Sequence, residues 1–372
     1  MRIAHISDCF LPRLGGIEVQ VNDLTRRQLE AGMQPEIITA SPAPRDWTSM
    51  TGVPVHRSGL PIPAEIANNP LPSRPIRKVL RQGNFDVVHV HAGVGSPFAA
   101  AGVRAALRLG LPVVVTVHCL RPAVPLPAVL SPWTSRTIAH RLELTAVSEA
   151  AAAPLRERTG EPVAVMPNGL DPADWRADPL PRDPRRVEVV ATMRLAGRKR
   201  PMPLLAVVAE AARRLAPEVD LHLTVYGDGV MLRRMQTAVA TRGLQDVVTL
   251  AGRVQRDALP QIYRRADVFI APAFLESFGI APLEARTAGV PVLAMRGSGV
   301  TEFIEDGREG LLAGDDDEMI DALVRIGGDA ELRRRIADHN RSTEPPQTWP
   351  KVLEHSENAY QRAIARTRPA AD

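Results

Sequence analysis

The chain has 372 residues, 45% of them hydrophobic, which supports sizeable cores and, at roughly 100–200 residues per domain, two domains. The formal net charge is +4, the arginines are scattered and no basic block is interleaved with aromatics, which argues against nucleic-acid binding. Cys9 and Cys119 make neither a disulfide framework nor a metal spacing, and no apolar run approaches the length of a membrane span.

In chain order, "RIAHIS" (2–7), "EIITA" (36–40), "FDVVHVH" (85–91), "PVVVTVH" (112–118) and "LTAVS" (144–148) are continuous β-branched runs. Such runs suit parallel strands covered on both faces. Helical patterns at 17–31, 97–109 and 149–159 alternate with them, the rhythm of a doubly wound α/β fold. Residues 41–75 are Pro-rich and weakly periodic, a long loop expected to help shape a substrate site. "DPADWRADPLPRDPRR" (171–186) reads as a linker, and the alternation then restarts. Strands are expected at 187–193, 221–227, 247–252, 268–272 and 291–295, with helices near 202–214, 231–242, 258–266, 279–288 and 316–326 and a last one over 349–367. The organisation expected is therefore two Rossmann-like domains, 1–175 and 176–348, with a C-terminal helical segment 349–372.

Ligands of doubly wound sheets bind outside the carboxyl ends of the strands, so chemistry is sought there. After the first strand, Gly15 and Gly16 precede a helix; paired glycines admit a phosphate to the helix N-terminus, and they also make an ordinary tight turn. "TVHCL" puts His118 at a strand end. His89 and His91 are spaced for one face of a strand, but two histidines without a third ligand do not make a zinc site. In the second half, Arg194 and Lys199 in "TMRLAGRKRPM" flank a loop leading into a helix, a guanidinium and an ammonium suited to a diphosphate.

Glu276 and Glu284 stand across "ESFGIAPLE". Pro282 fits only the first turn of a helix, so the helix starts near Gly279, with Glu276 at its mouth and Glu284 about a turn inside. A carboxylate accepts two hydrogen bonds and so matches vicinal hydroxyls, one acid for a ribose and the other for a sugar. The backbone N–H groups of Phe278, Gly279 and Ile280 would face sugar or phosphate oxygens. "GDDDE" (314–318) precedes a helix, where aspartates cap N–H groups, and is read as a cap and not as a metal motif.

"ESFGIAPLE" resembles the E-x7-E signature of retaining GT-B glycosyltransferases of the large glycosyltransferase 4 family. The resemblance runs over nearly the whole chain and keeps the family's order: "ISDCFLPRLGGIEVQV", "FDVVHVHAG", "VVVTVHC", "TAVSEA", "VMPNGLDPADW", "RLAGRKRP", "VYGDG", "LAGRV", "ADVFIAPAFLESFGIAPLEARTAGVPVLA" and "GSGVTEFIEDGREGLL". It implies two Rossmann-like domains facing across a cleft, with a nucleotide-diphosphate sugar held mainly by the C-terminal one. Arg194 and Lys199 would grip the diphosphate, Glu284 the ribose and Glu276 the donor sugar, with Arg253 and Val254 of "LAGRV" beside the base. Gly15 and Gly16 would close over the phosphates, His118 would sit near the donor sugar, and the last helix would cross back to the N-terminal domain. One departure is Met193, where the family often has a glycine before the arginine.

The implied reaction is front-face transfer with retention to a hydroxyl acceptor, the leaving phosphate helping to deprotonate it, without a metal or other cofactor. The base and sugar of the donor stay open among GDP-mannose, UDP-glucose and UDP-N-acetylglucosamine. A lipid or cell-envelope glycan acceptor, with peripheral contact at the inner face of the membrane, is compatible with the basic balance. The polar N-terminus "MRIAHISDCFLP" and the two cysteines, read as buried and reduced, give a cytoplasmic expectation. A sugar-nucleotide epimerase on the same fold is the alternative enzyme. A dinucleotide-dependent dehydrogenase would need G-x-G-x-x-G, which "LPRLGGIEV" lacks, and a non-catalytic binding module is a third reading.

Overall fold

The computed structural model describes residues 1–13, 15–43, 52–58, 74–93, 95–120, 131–176, 178–180, 183 and 185–367. They form two compact units: Met1–Gly169 with Gln347–Asp372, and Leu170–Pro346. The cut falls earlier than a junction at 175/176 because Trp175 packs against Tyr263 of the second unit, with ring centroids 5.9 Å apart.

In the first unit, described strands are β1 (Arg2–Ser7), β2 (Gln34–Thr39), β3 (Val55–Arg57), β4 (Val87–Ala92), β5 (Val113–Val117), β6 (Glu143–Ala146) and β7 (Val163–Val165). They pair in parallel in the order β3-β2-β1-β4-β5-β6-β7. Helices α1 (Gly16–Glu30), α2 (Arg74–Gln82), α3 (Pro97–Arg108), α4 (Arg136–Ala139) and α5 (Glu149–Thr159) connect them. One core joins α2, α3 and α5 to the sheet through Ile6, Val88, Val90, Phe98, Val115 and Leu155. Strands β3 and β7 and helices α2 and α4 were not expected. β3 lies inside the stretch read as a loop over 41–75, of which 44–51 and 59–73 fall outside the described residues, and with them most of the expected substrate-site loop.

The second unit has β8 (Arg186–Thr192), β9 (Asp220–Tyr226), β10 (Val248–Gly252), β11 (Val268–Ala271), β12 (Val292–Met295) and β13 (Gly310–Ala313), parallel in the order β10-β9-β8-β11-β12-β13. Its helices are α6 (Pro201–Leu215), α7 (Leu232–Thr241), α8 (Leu259–Tyr263), α9 (Ile280–Thr287), α10 (Asp316–Gly328) and α11 (Ala330–Ser342). Sequence patterning missed β13 and α11. Strand β13 is four residues long, and α11 carries the long run "ELRRR" with only Leu332, Ile336 and Asn340 buried, which leaves a weak apolar period.

Helix α12 (Trp349–Thr367) belongs to the first unit and packs on α1, β4, β5 and β6. Its Ala359, Tyr360 and Ala363 meet Ile3, Val87, Val114 and Met166 of the sheet, while Arg362 and Arg366 reach Glu143 at 2.6 and 3.2 Å. Among the described residues no helix is long and apolar enough to cross a membrane.

Candidate active site

Both sheets reverse their winding beside their first strand: the chain moves from β8 to β9 and β10 on one side, then to β11, β12 and β13 on the other. The gap between β8 and β11 is the topological switch point, where doubly wound sheets hold ligands. Arg194 and Lys199 follow β8, and Glu276 follows β11, so the fold delivers these residues to the same end of the sheet.

There the Lys199 ammonium, carried on a single 3-10 turn (Gly197–Lys199), donates a short hydrogen bond to Glu276. Both side chains are less than a fifth exposed, at 19% and 18%. Glu276 thus meets a cation directly, and the pair is preorganised at the mouth of α9. The helix begins at Ile280, one residue later than the start near Gly279, and Pro282 falls in its first turn. Gly279 is its N-cap at φ 91°, and a Cβ there would stand 2.7 Å from Val300 Cγ2, so a side chain is excluded twice over. The Phe278 ring points into the core against Phe303, with centroids 5.5 Å apart, which anchors the loop whose backbone opens the helix. The first N–H groups of α9 have no acceptor within the helix and give this end a positive character.

Glu284 is buried, at 3% exposure, and is held by Arg256 through Nε and Nη2 at 3.2 and 3.1 Å. A carboxylate so far from water requires such a partner. The Arg256 guanidinium in turn lies over the Trp175 ring at 5.6 Å. The Tyr263 hydroxyl, 3.0 Å from Thr192 Oγ1, is held protonated by burial and by the nearby charge of Glu284. Arg194 and Arg253 are exposed at their strand ends, and Val254 is half-buried.

A second arginine braces the basic loop. Arg200 has φ 58°, forks onto Asp316 at 2.7 and 2.8 Å, donates to the Pro272 carbonyl at 3.2 Å and lies over the Phe274 ring at 4.2 Å. The acidic run at 314–318 therefore divides its work: Asp315 caps α10 by accepting from the Glu318 N–H at 2.9 Å, and Asp316 ties α10 to the basic loop. The half-buried Met193 side chain packs against the core of the second unit. Gly227, at φ 153°, closes against the Met193 carbonyl, and Met193 N–H donates to the Tyr226 carbonyl at 3.0 Å.

In the first unit, Gly15 is the N-cap of α1 and Gly16 its first residue. The Glu18 carboxylate folds back over Gly15 and pairs with Arg13 at 3.4 Å, so an acid already faces this helix end. At the β1–β4 switch point, Asp8 accepts from the N–H groups of Phe98 and Ala99 at 3.0 and 3.1 Å. Burial pushes its carboxyl up to about 6. Cys9 and Cys119 form no disulfide, and both are half-exposed, not buried as expected from their strand-end positions. The Cys9 sulfur accepts from Arg13 at 2.7 Å.

His118 follows β5 and joins a polar group the sequence reading missed. His5, His89, His91, Thr116 and Thr145 lie on the sheet face that α1 and α12 cover, because His5 pairs in register with His89, His91 with Thr116 and Thr116 with Thr145. The third histidine that the sequence reading lacked is thus His5 of the neighbouring strand. His5, His89 and His91 are close enough to share a metal ion. Yet every ring nitrogen of the three already has a hydrogen-bond partner, which accounts for the cluster without one. A signal was present: His5 and Ser7 of β1, His89 and His91 of β4, and Thr116 of β5 with His118 just after it stand two positions apart. Arg200 and Arg256 left none, since a basic residue in a loop looks the same whether or not it has a partner.

A pair of doubly wound parallel sheets, the second carrying cations and acids at its switch point, is the architecture of a GT-B glycosyltransferase. The family models agree: Glycosyltransferase Family 4 matches residues 14–174 and Glycosyl transferases group 1 matches residues 180–343. The chain belongs to this glycosyltransferase family and is an enzyme of the hexosyltransferase class. It is 28% identical over 331 residues to a D-inositol 3-phosphate glycosyltransferase of Pseudarthrobacter chlorophenolicus, covering 80% of this chain and 78% of that one. It is 26% identical over 382 residues to a phosphatidylinositol N-acetylglucosaminyltransferase subunit of Arabidopsis thaliana, covering 98% and 82%. The fold is similar to that of Anabaena Alr3699/HepE in complex with UDP, with a TM-score of 0.74 at 17% identity over 97% of this chain and 100% of the other. It is likewise similar to that of sucrose-phosphate synthase from Thermosynechococcus elongatus, with a TM-score of 0.74 at 19% identity over 98% and 99%.

Proposed function

We propose that the enzyme moves a hexose from a nucleoside-diphosphate sugar to a hydroxyl acceptor with retention of configuration and without a metal. The observation that carries this reading is the Lys199–Glu276 pair at the mouth of α9, beside the buried Glu284. Lys199 and Arg194 neutralise the departing diphosphate, which is the main electrostatic demand of the reaction. Glu276 exchanges part of its hold on Lys199 for hydroxyls of the donor sugar, with the backbone of Phe278, Gly279 and Ile280 alongside. Glu284, oriented by Arg256, accepts from the ribose hydroxyls. Arg253 and Val254 flank the base. The roles of His118 at the donor sugar and of Gly15 and Gly16 at the phosphates rest on the family resemblance, and Glu18 must swing aside for the latter.

Inositol occurs in the names of both kinds of relative, so inositol phosphates and phosphatidylinositol are the first acceptors to test. The experiment is a thermal-shift screen of UDP-, GDP- and ADP-sugars followed by a transfer assay with these acceptors. A nucleotide sugar that raises the melting temperature and yields glycosylated product with the α-linkage of its donor supports the reading. Isomerised donor without transfer would identify an epimerase instead.

A further inference from the structure

The buried polar face of the first unit is one continuous chain of hydrogen bonds ending at His118. Thr145 Oγ1 donates to the Val115 carbonyl at 3.3 Å, so toward Thr116 Oγ1, 2.7 Å away, it can only accept. The Thr116 proton goes to Thr145 Oγ1 or to Met166 Sδ, 3.7 Å away, and in either case Thr116 accepts from His89 Nε2 at 2.7 Å. A neutral imidazole has one donor and one acceptor nitrogen, so His89 Nδ1 accepts from the Tyr360 hydroxyl at 2.9 Å. The Tyr360 oxygen accepts from the Gln28 amide nitrogen at 2.8 Å, which sets Gln28 Oε1 against His5 Nε2 at 2.7 Å. His5 Nε2 then carries the proton, and His5 Nδ1 accepts from His91 Nε2 at 3.0 Å. The same step repeats from His91 Nδ1 to His118 Nε2, also at 3.0 Å.

We infer that this one-way chain holds His118 as the Nε2–H tautomer with Nδ1 as an acceptor, and that Gln28 and Tyr360 are positioning residues for it. Turning the Gln28 amide over would reverse the bonds along the chain, move the His118 proton to Nδ1 and lose the Thr145–Val115 bond. The amide therefore acts as the element that selects between two polarities. All four rings are neutral near pH 7: burial lowers His5 and His118 to about 4, and burial and the neighbouring histidines hold His89 and His91 well below the ordinary imidazole value. An acceptor nitrogen suits a sugar hydroxyl that donates to it, and the reversed tautomer would offer that hydroxyl a donor. The functional consequence rests on the proposed placement of His118 at the donor sugar, whereas the tautomer itself does not.

The test is long-range ¹H–¹⁵N NMR on the full protein labelled at the histidine ring nitrogens. Wild type is expected to show protonated Nε2 and bare Nδ1 for His118, His91 and His5. A proton on His118 Nδ1 overturns the proposal, and this measurement needs no variant. In Tyr360→Phe, the Gln28 amide loses the acceptor that orients it, and His118 should become a mixture of both tautomers. In Gln28→Glu, the carboxylate can only accept, so His118 should stay Nε2–H. A single unchanged tautomer in Tyr360→Phe would show that the chain does not set it. With half the population competent, kcat/KM for sugar transfer in Tyr360→Phe should fall about twofold while affinity for the free nucleoside diphosphate stays unchanged. If the wild type transfers no sugar, the proposed reaction fails, and the NMR result still decides the tautomer.

Discussion

In the second unit the polar groups proposed for function are charged, stand at strand ends and meet in opposite-sign pairs: Lys199 with Glu276, Arg256 with Glu284, Arg200 with Asp316. In the first unit the comparable groups lie on the sheet face itself, are neutral and form a chain: His118, His91, His5, Gln28, Tyr360, His89. The winding of the two sheets is the same and the solutions differ because their burial differs. A charge needs water or a counter-ion, and each of these three pairs keeps at least one partner partly open to solvent: even the deeply placed Glu284 is met by a half-exposed guanidinium. Imidazole, amide and hydroxyl groups cost little to bury once each donor has an acceptor, so they fill an interior face.

The sharpest way to break the comparison is to remove a rim charge. Lys199→Ala and Arg194→Ala should each lower kcat by about 100- to 1,000-fold with the fold intact by circular dichroism, the usual cost of losing one preorganised charge-stabilising group. Near-normal turnover in both would end the diphosphate role. Glu284→Ala should act on binding: calorimetry with the free nucleoside diphosphate should show affinity reduced about tenfold or more, the range expected when a charge-assisted hydrogen bond is lost. An unchanged affinity would place the ribose elsewhere.

The interior face makes its own prediction, in acid. The four histidines have folded pKa values below the ordinary 6.5, so between about pH 6.5 and 4 the unfolded chain binds more protons at them than the folded one, and stability falls as pH falls. Asp8 works the other way, since its raised pKa lets the folded state hold a proton the unfolded state has lost, favouring the fold as pH drops from about 6. Four groups outweigh one. Denaturant unfolding near pH 5 should show uptake on the order of three protons from these five groups, a slope of about 4 kcal/mol per pH unit. A flat profile over that window would mean the histidines are not held neutral. The smallest effect expected is that of chelation: under the proposal that basic side chains meet the diphosphate, EDTA should leave transfer largely unchanged. Full loss restored by a divalent ion would reverse that reading.

Much of the second unit was legible in the sequence. Lys199, Glu276 and Glu284 lie in short local motifs beside strand ends and a helix start, and local geometry delivers local motifs: Pro282 alone constrained where α9 begins to within a residue. Partners from distant segments were not legible. Arg256 reaches Glu284 across 28 positions, Asp316 reaches Arg200 across 116, and Tyr360 reaches Gln28 across 332. Nothing in a residue's own neighbourhood records such a meeting.

The continuous β-branched runs and the βα alternation by themselves determined two doubly wound sheets, because a parallel strand must be apolar on both faces wherever helices cover it. The tertiary structure alone decided what interrupts that rule. Parallel pairing laid His5 beside His89 and Thr116 beside both His91 and Thr145, and α1 and α12 closed Gln28 and Tyr360 over them. Hydrogen-bond direction depends on which atoms meet, and that is a property of strand register and helix docking, which no single stretch of the chain carries.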